Sequence, residues 1–269
     1  MGTAARAGMT KIAIAATLFL LASTSALAEQ DRWTTADLQA AAKEGQFVEA
    51  LQHLTDVAPS KRDAAWKKVT DEIALGFLDY CAKQEDPIAA LMMGEEILMR
   101  FPSVRKSRVI MSKRAEVGMK GFESCFDRAY DGSVCHEALL KFVDNDAQNA
   151  ELAFSAGQLV RRNQFHYVAT PYFRRAVTAA AKPRRAAMCK HEDVGLAVVA
   201  GLGLPKDHVL AKDSRELASS CFEEQRKAIL AAVVPNGGYV LDNACPLLQA
   251  KNALAGRQAR VCAEATARR

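Results

Sequence analysis

The chain has 269 residues, of which 50% are hydrophobic, 25% charged and 7% aromatic. This composition is that of an ordinary globular protein, and it excludes disordered, collagen-like and polytopic membrane proteins. Lys and Arg outnumber Asp and Glu by 36 to 31, which gives a formal charge of +5 and a pI near 8.8. A surplus this small does not indicate a nucleic-acid partner.

Residues 1–28 have the three parts of a secretory signal peptide. Arg6 and Lys11 supply the positive start, residues 12–22 form an apolar run, and Ala26-Leu27-Ala28 is a small-residue cleavage motif. The apolar run of 11 residues is too short to span a bilayer, and no Cys follows the motif to carry a lipid. We therefore predict a soluble, exported protein that is periplasmic or secreted and not membrane-spanning after cleavage.

The remaining segment, 29–269, is predicted to be all-α and a single repeat domain. Its apolar residues recur at three- and four-residue spacing, and strict alternation is rare. Turn residues interrupt this pattern at short intervals, so the helical stretches have lengths suited to antiparallel hairpins. About six hairpins average about 40 residues each, which is the period of an α-solenoid. We place them at 34–58, 62–101, 104–143, 147–182, 184–233 and 239–266.

The window from Val194 to Cys221 reads VGLAVVAGLGLPKDHVLAKDSRELASSC. It resembles the SEL-one-like repeat, whose pattern is of the type LGxxYxxGxGVxxDxxKA followed by a second helix. Val198 and Leu210 depart from the tyrosine and lysine of that pattern. With its preceding helix, the repeat extends over 184–221. The matching positions are Gly195, Gly201, Gly203, Asp207 and Ala211.

Each matching residue has an expected structural role. Gly195 lets the paired helices approach closely, and Gly201 and Gly203 supply backbone freedom where the first helix ends. Asp207 is predicted to cap the second helix, and Ala211 to be small where this helix faces the first. The resemblance thus implies a helical hairpin.

A second window, 150–181, resembles the related tetratricopeptide repeat. The resemblance implies two interlocking helices. Thr170-Pro171 departs from the family pattern and looks like a helix N-cap and first position, so the second helix is predicted to start late or to kink. The small, small, large and small positions of the repeat are taken by Gly157, Ala169, Phe173 and Ala176.

All seven cysteines lie in the exported part, where an oxidising environment favours disulfides. No C-x-x-C or C-x-x-C-H motif occurs, so thioredoxin-like redox sites, zinc ribbons and covalently bound haem are not indicated. We predict neither a metal nor a cofactor. Because seven is odd, at least one thiol is free or bonded to another chain.

The SEL-one-like resemblance also implies one disulfide, because cysteine-rich members of that family staple each hairpin near its open end. Cys189 and Cys221 flank the turn near Asp207 almost symmetrically, at positions that lie opposite each other in an antiparallel hairpin. Closing this loop would contribute about 3–4 kcal/mol in the chain-entropy model.

The pairing of the other cysteines is predicted from the turns that lie between them in the sequence. Cys125 and Cys135 flank a Tyr-Asp-Gly sequence that would reverse the chain and bring them together. Cys245 and Cys262 would be about 25 Å apart on one continuous helix, so they pair only if the chain turns between them. Cys81 is then the remaining thiol, which we interpret as a buried helix residue rather than a nucleophile.

Candidate catalytic chemistry is sparse. Cys135-His136-Glu137 and Cys189-Lys190-His191-Glu192 each put a thiol, an imidazole and a carboxylate close together. As metal sites they lack a second ligand pair at a recognised spacing. Neighbouring residues on a helix point to different faces, which disfavours a Cys–His nucleophile. Both interpretations fail if the cysteines are oxidised.

Three basic doublets come from helices predicted to be adjacent. Together they would form a patch able to hold carboxylate or phosphate groups. The alternative is that they line a solvated convex surface. The residues are Arg161, Arg162, Arg174, Arg175, Arg184 and Arg185.

The predicted function is binding rather than catalysis. A disulfide-stapled α-solenoid has a groove lined by its first helices, and we expect this groove to recruit another envelope protein or peptide. The alternative is an enzyme, or an enzyme accessory, that acts on or binds cell-wall material, as some cysteine-rich SEL-one-like proteins bind such ligands. It would need converging carboxylates in a cleft, or a reactive Cys81 close to a histidine. A secreted effector is a third possibility.

Overall fold

The computed structural model describes residues 33–128, 132–233 and 238–267. In these ranges the secondary structure consists of fifteen α-helices and two short 3-10 turns, with no strand. The all-α prediction is therefore confirmed. The signal peptide predicted over 1–28 lies outside the described residues. Of the helices in the ranges above, none is both long enough and apolar enough to cross a membrane.

The chain divides into two compact units, the first ending at Val117 and the second beginning at Gly118. Each unit has its own buried core. The prediction of a single repeat domain over 29–269 stays a prediction.

The first unit is organised around its longest complete helix, α3. This helix packs against α1, α2, α4 and α5, and its N-terminus is capped by Asp63, whose carboxylate accepts a hydrogen bond from the Trp66 amide at 2.9 Å. Asp86 caps α4 in the same way. The helices are α1 Thr35–Lys43, α2 Phe47–His53, α3 Ala64–Ala82, α4 Pro87–Leu98, α5 Pro102–Lys106 and α6 Arg108–Arg128, of which the last continues into the second unit.

The second unit contains the remaining helices. They are α7 Ser133–Asp144, α8 Ala150–Asn163, α9 Thr170–Ala179, α10 Lys182–Cys189, α11 Glu192–Leu202, α12 Ala211–Ser220, α13 Phe222–Val233, α14 Tyr239–Ala250 and α15 Gly256–Ala267. Neighbouring helices pair in sequence, α8 with α9 and α11 with α12. The two pairs also contact each other, because α9 packs on α12 and α8 on α11.

The α8–α9 hairpin is interlocked through Gly157 and Phe173. A Cβ atom on Gly157 would lie 2.6 Å from Cε1 of Phe173, so only glycine leaves room for this ring. Phe173, Ala169 and Ala176 are all completely buried. Helix α9 begins at Thr170, followed by a proline in the first turn, as expected for a second helix that starts late.

We expect Gly157→Ala to destabilise the second unit by about 1–2 kcal/mol. Overpacking in a closed core costs about 1–3 kcal/mol, and the higher helix propensity of alanine offsets about 1 kcal/mol of this cost. Urea unfolding measures the change. In the Phe173→Leu background, which removes the ring, the same substitution should be neutral or stabilising. An equal loss in both backgrounds would contradict this packing role.

Two glycines of the SEL-one-like window lie at close helix contacts, although with different partners. A Cβ atom on Gly201 would lie 2.7 Å from Cβ of Ser214 in α12, so α11 and α12 approach each other there. Gly195 is instead approached by α13, since its Cβ would lie 2.7 Å from Oε1 of Gln225. The close contact expected at Gly195 is thus made with a helix outside the hairpin.

The turn of this hairpin differs from the expectation. Gly203 ends α11 with φ of −78°, a conformation open to any residue. Asp207 is exposed and does not cap α12, which begins only at Ala211 and has Leu210 at its N-cap without a side-chain cap. The reason is a longer turn, closed by a hydrogen bond from the Leu210 amide to Nδ1 of His208 at 3.1 Å. Ala211 is buried, as expected.

Three disulfides link helices of the second unit. One joins α6 to α7, one joins the end of α10 to the end of α12, and one joins α14 to α15, which are separated by a turn. They are Cys125–Cys135, Cys189–Cys221 and Cys245–Cys262, with Cα–Cα distances of 6.0, 5.1 and 5.6 Å. Cys81 is the free cysteine, and it lies in the first unit.

Candidate functional site

A polar groove between α6 and α8 is the candidate binding site of the second unit. Its volume is about 290 Å³. Both helices precede their hairpin partners in the chain, so the groove lies between first helices, which are the helices predicted to line the binding surface. The lining residues are Met119, Lys120 and Glu123 from α6 and Ser155, Gln158, Leu159 and Arg162 from α8.

The amphipathic pattern of α8 places these side chains on its open face. Asn149 caps the helix by accepting a hydrogen bond from the Leu152 amide at 3.0 Å. The other apolar positions are buried against neighbouring helices, while Leu159 lies at the base of the groove and the polar positions point into it. The spacing of Ser155, Gln158 and Arg162 is three and then four residues, which puts all three on one side of the helix.

Gln158 is held in place by a network that reaches α11. Its Nε2 donates to Oδ2 of Asp193 at 3.2 Å and lies 3.4 Å from Nε2 of His191. The Asp193 carboxylate also lies 2.5 Å from Nε of Arg161. The positive charge of Arg161 offsets the free-energy cost of burying the Asp193 carboxylate. The His191 ring in turn packs edge-on against Phe154. These contacts orient the Gln158 amide before any partner arrives.

The charged side chains at the edge of the groove are exposed and only loosely paired. Arg162 and Glu123 form an ion pair with 3.6 Å between Nη2 and Oε1, and both side chains are more than half exposed. Such a pair contributes little to stability. Lys120 is exposed beside them. The groove therefore offers two cations, one carboxylate, an amide and a hydroxyl above a floor of Met119 and Leu159.

The six arginines do not form the free basic patch considered from the sequence. Arg185 donates to the Ala180 carbonyl at 3.2 Å. The other five pair with carboxylates of neighbouring helices: Arg161 with Asp193 (2.5 Å), Arg162 with Glu123 (3.6 Å), Arg174 with Asp213 (2.5 Å), Arg175 with Asp144 (2.5 Å) and Arg184 with Glu151 (2.6 Å). Because acidic partners lie 2.5–2.6 Å from Arg161, Arg174, Arg175 and Arg184, these four arginines link helices instead of holding an external anion. Arg162 is paired more loosely, at the edge of the groove.

The two Cys–His–Glu sequences do not form reactive sites. Cys135 and Cys189 are both oxidised. His136 is half-buried beside Tyr172, whose hydroxyl donates to the His136 carbonyl at 2.8 Å, and burial lowers the pKa of the His136 imidazole. Across the described ranges, no group of three His, Cys, Asp or Glu side chains is placed to hold a metal ion.

Cys81 lies in the core of the first unit and is completely buried. Burial, with a smaller contribution from the charge of Glu95, raises the pKa of the thiol to about 12. The nucleophilic thiolate is therefore scarce at neutral pH. This environment does not favour the form of the enzyme alternative that uses a reactive Cys81.

We expect no thiol to react with Ellman's reagent in the native protein and one to react in guanidinium chloride without reductant. The native result follows from the burial of Cys81, and the denatured count follows from the six oxidised cysteines. A Cys81→Ala variant should give no colour in either state and serves as the control. Rapid labelling of the native protein would contradict the buried position.

Comparisons of the chain with family models, with curated proteins and with solved structures find no match. The candidate site therefore rests on its own geometry.

The groove is not predicted from the sequence. The hairpin predicted at 104–143 carries no repeat motif, and this range contains the α6 side of the groove. A signal was present in α8, where Ser155, Gln158 and Arg162 follow helical spacing. The second wall of the groove, α6, is brought to α8 by tertiary packing, and no local sequence pattern in α6 indicates this contact.

Proposed function

We propose that the chain is an exported helical-repeat scaffold that binds an extended peptide segment of another envelope protein in the groove between α6 and α8. The observation that carries this proposal is the groove itself. It combines an apolar floor, an oriented amide and exposed charges of both signs.

The order of helix contacts supports a repeat architecture. In the second unit, hairpins that follow each other in the chain also pack on each other. The Arg161–Asp193 ion pair connects the first helices of two such hairpins, α8 and α11. The Arg174–Asp213 ion pair connects their second helices, α9 and α12. Stacking of this kind builds an elongated surface from successive first helices. We extend it to the predicted solenoid of about six hairpins.

The groove is an open surface depression whose volume is at the lower end of the range for small-molecule pockets, about 300–1,000 Å³, which enclose most of their ligand. A volume of about 290 Å³ accommodates one or two side chains of an extended segment. The Gln158 amide and the Ser155 hydroxyl are positioned to pair with its main chain, while Lys120 and Arg162 favour an acidic side chain nearby.

Selection from a displayed library of random extended peptides tests this proposal. We expect enriched peptides to bind the folded protein and to contain an acidic residue. Gln158→Ala and Lys120→Glu should each weaken binding of a selected peptide about tenfold or more, as expected for loss of an oriented polar contact. Isothermal titration measures the affinities.

Lys141→Glu is the matched control, because Lys141 is an exposed lysine on α7 and does not line the groove. It should leave the affinity unchanged. If no peptide is enriched, or if selected peptides bind the Lys120→Glu and Lys141→Glu variants equally, peptide binding in this groove is wrong.

A further inference from the structure

Helix α15 is held against the second unit chiefly through one residue. Of its twelve residues, all of which the structure describes, Cys262 is the only buried one, and the rest are exposed or half-buried. Helix α14 has the same length and buries four residues, Asn243, Ala244, Cys245 and Leu248. The side chain that anchors α15 is therefore the half-cystine bonded to Cys245.

The interface between α14 and α15 is incompletely packed. A groove of about 530 Å³ lies between the two helices, and both half-cystines line it. Ala259 and Ala263 of α15 also face the groove, and their small side chains leave it unfilled. Protein interiors are normally packed without such space. Burial of apolar surface therefore contributes little to holding α15 in place.

The length of α15 does not stabilise it either. Isolated helices shorter than about 12–15 residues are marginal in water, and α15 has twelve residues. It packs against α13 and α14, but it buries no second side chain there. The position of α15 thus depends on the covalent link to α14.

The groove gives a reductant access to this disulfide. Cys245 and Cys262 retain exposed fractions of 8% and 4%, whereas Cys189 and Cys221 are both at 0%. Thiol–disulfide exchange requires that a thiolate reaches one of the two sulfur atoms. The Cys245–Cys262 bond should therefore react before the Cys189–Cys221 bond.

The Cys125–Cys135 disulfide is also within reach of solvent, because Cys125 is half-buried. It does not hold a helix in the same way. Helix α7 keeps apolar contacts that do not involve the disulfide, since it buries Leu139, Phe142 and Val143 as well as Cys135. Reduction of this bond leaves those contacts in place.

We propose that the Cys245–Cys262 disulfide is a redox-sensitive switch that releases α15 when a protein dithiol reduces it. Release exposes the sides of α13 and α14 against which α15 packs. The switch does not involve the peptide groove between α6 and α8.

The reduction proceeds in two exchange steps. A thiolate of the reductant attacks one sulfur of the Cys245–Cys262 bond and forms a mixed disulfide. The other sulfur leaves with the electron pair of the broken bond and takes up a proton. The second thiol of the reductant, as its thiolate, then attacks the reductant's own sulfur in the mixed disulfide and frees the remaining cysteine, which is protonated. The reductant ends as a disulfide, and Cys245 and Cys262 end as thiols.

Partial reduction of the native protein tests the access of a dithiol, with dithiothreitol as the probe. Alkylation and mass spectrometry identify which cysteines are freed at each time. We expect the Cys245–Cys262 bond to open about tenfold or more faster than the Cys189–Cys221 bond, because the groove admits the reagent.

Trypsin cleavage tests the release of α15. Arg257 and Arg260 are exposed residues of this helix. Cleavage after them should become about tenfold or more faster in the Cys245→Ala, Cys262→Ala variant than in the oxidised wild-type protein, because a protease cleaves the locally open form. Wild-type protein reduced only at this bond should behave like the variant, which keeps the test valid if the variant folds poorly.

The matched control removes a different disulfide, in the Cys125→Ala, Cys135→Ala variant. Lys141 is an exposed trypsin site in α7, and cleavage after it should stay within about twofold of the wild-type rate, because α7 keeps its other buried side chains. Circular dichroism shows whether both double variants are folded.

Either of two results would overturn the proposal. One is cleavage of α15 at the same rate with and without the Cys245–Cys262 bond, which would mean that packing holds the helix. The other is equal reduction rates for the Cys245–Cys262 and Cys189–Cys221 bonds. Neither readout involves a bound peptide, so failure of the switch and failure of the peptide groove are distinguishable.

Discussion

Replacing Arg114 by methionine should destabilise the first unit by about 3–5 kcal/mol. The Arg114 guanidinium and the Glu95 carboxylate are both almost completely buried. Nε of Arg114 donates to the two carboxylate oxygens at 3.0 and 3.1 Å, and Nη2 makes a further hydrogen bond to Oε1. The substitution leaves the Glu95 charge buried without this guanidinium, and losing one partner of a buried pair typically costs this much. Urea or thermal unfolding measures it.

A matched control lies close by in the sequence. Arg100 pairs with Glu96 at 2.6 Å, but both side chains are exposed, so Arg100→Met should change stability by less than about 1 kcal/mol. Replacing both buried partners, Arg114→Met with Glu95→Leu, should recover much of the lost stability because no buried charge remains. Equal effects at Arg114 and Arg100 would show that burial does not decide the strength of this pair.

Replacing both cysteines of the Cys189–Cys221 disulfide by alanine should lower the free energy of unfolding by about 3.7 kcal/mol. The two residues are 32 positions apart, and the chain-entropy model relates the stabilisation to the length of the closed loop. Both half-cystines are completely buried between α10 and α12. Thermal or denaturant unfolding of the purified, oxidised protein measures the loss.

The other two disulfides close shorter loops, so the expected losses of stability can be compared within the same protein. Their separations of 17 and 10 residues predict losses of about 3.1 kcal/mol for Cys245–Cys262 and about 2.7 kcal/mol for Cys125–Cys135. Cys81→Ala, in the first unit, controls for removal of a buried sulfur without a crosslink. If the shortest loop proves the most stabilising, loop closure is not the main source of the effect.

The helices and their main contacts follow from local patterns, with errors at the turns. The resemblance to the tetratricopeptide repeat predicts that Gly157 and Phe173 interlock, and they do pack against each other. The resemblance to the SEL-one-like repeat predicts that Asp207 caps the second helix, yet the turn continues to Leu210. Helix interiors are set by a repeating pattern of several residues, whereas a helix start depends on a few competing hydrogen bonds.

The ion-pair partners of charged residues are harder to predict from the sequence than the helices are. The six arginines look alike in the sequence, either as a patch or as a solvated surface. Their acidic partners, such as Asp193, Asp213 and Glu151, are more than 30 residues away in the chain. Nothing local to an arginine indicates whether such a carboxylate faces it. The groove is equally difficult to predict, because its two walls come from helices that are far apart in the chain.

The amino-acid sequence by itself determined the helical class, since the period of its apolar residues matches one face of a helix and needs no distant contact. It also limited the cysteine pairs to those that turns can bring together. Tertiary packing alone decided which charges neutralise each other and where a groove opens between α6 and α8. These properties depend on distances between residues far apart in the chain, and such distances exist only once the helices have packed.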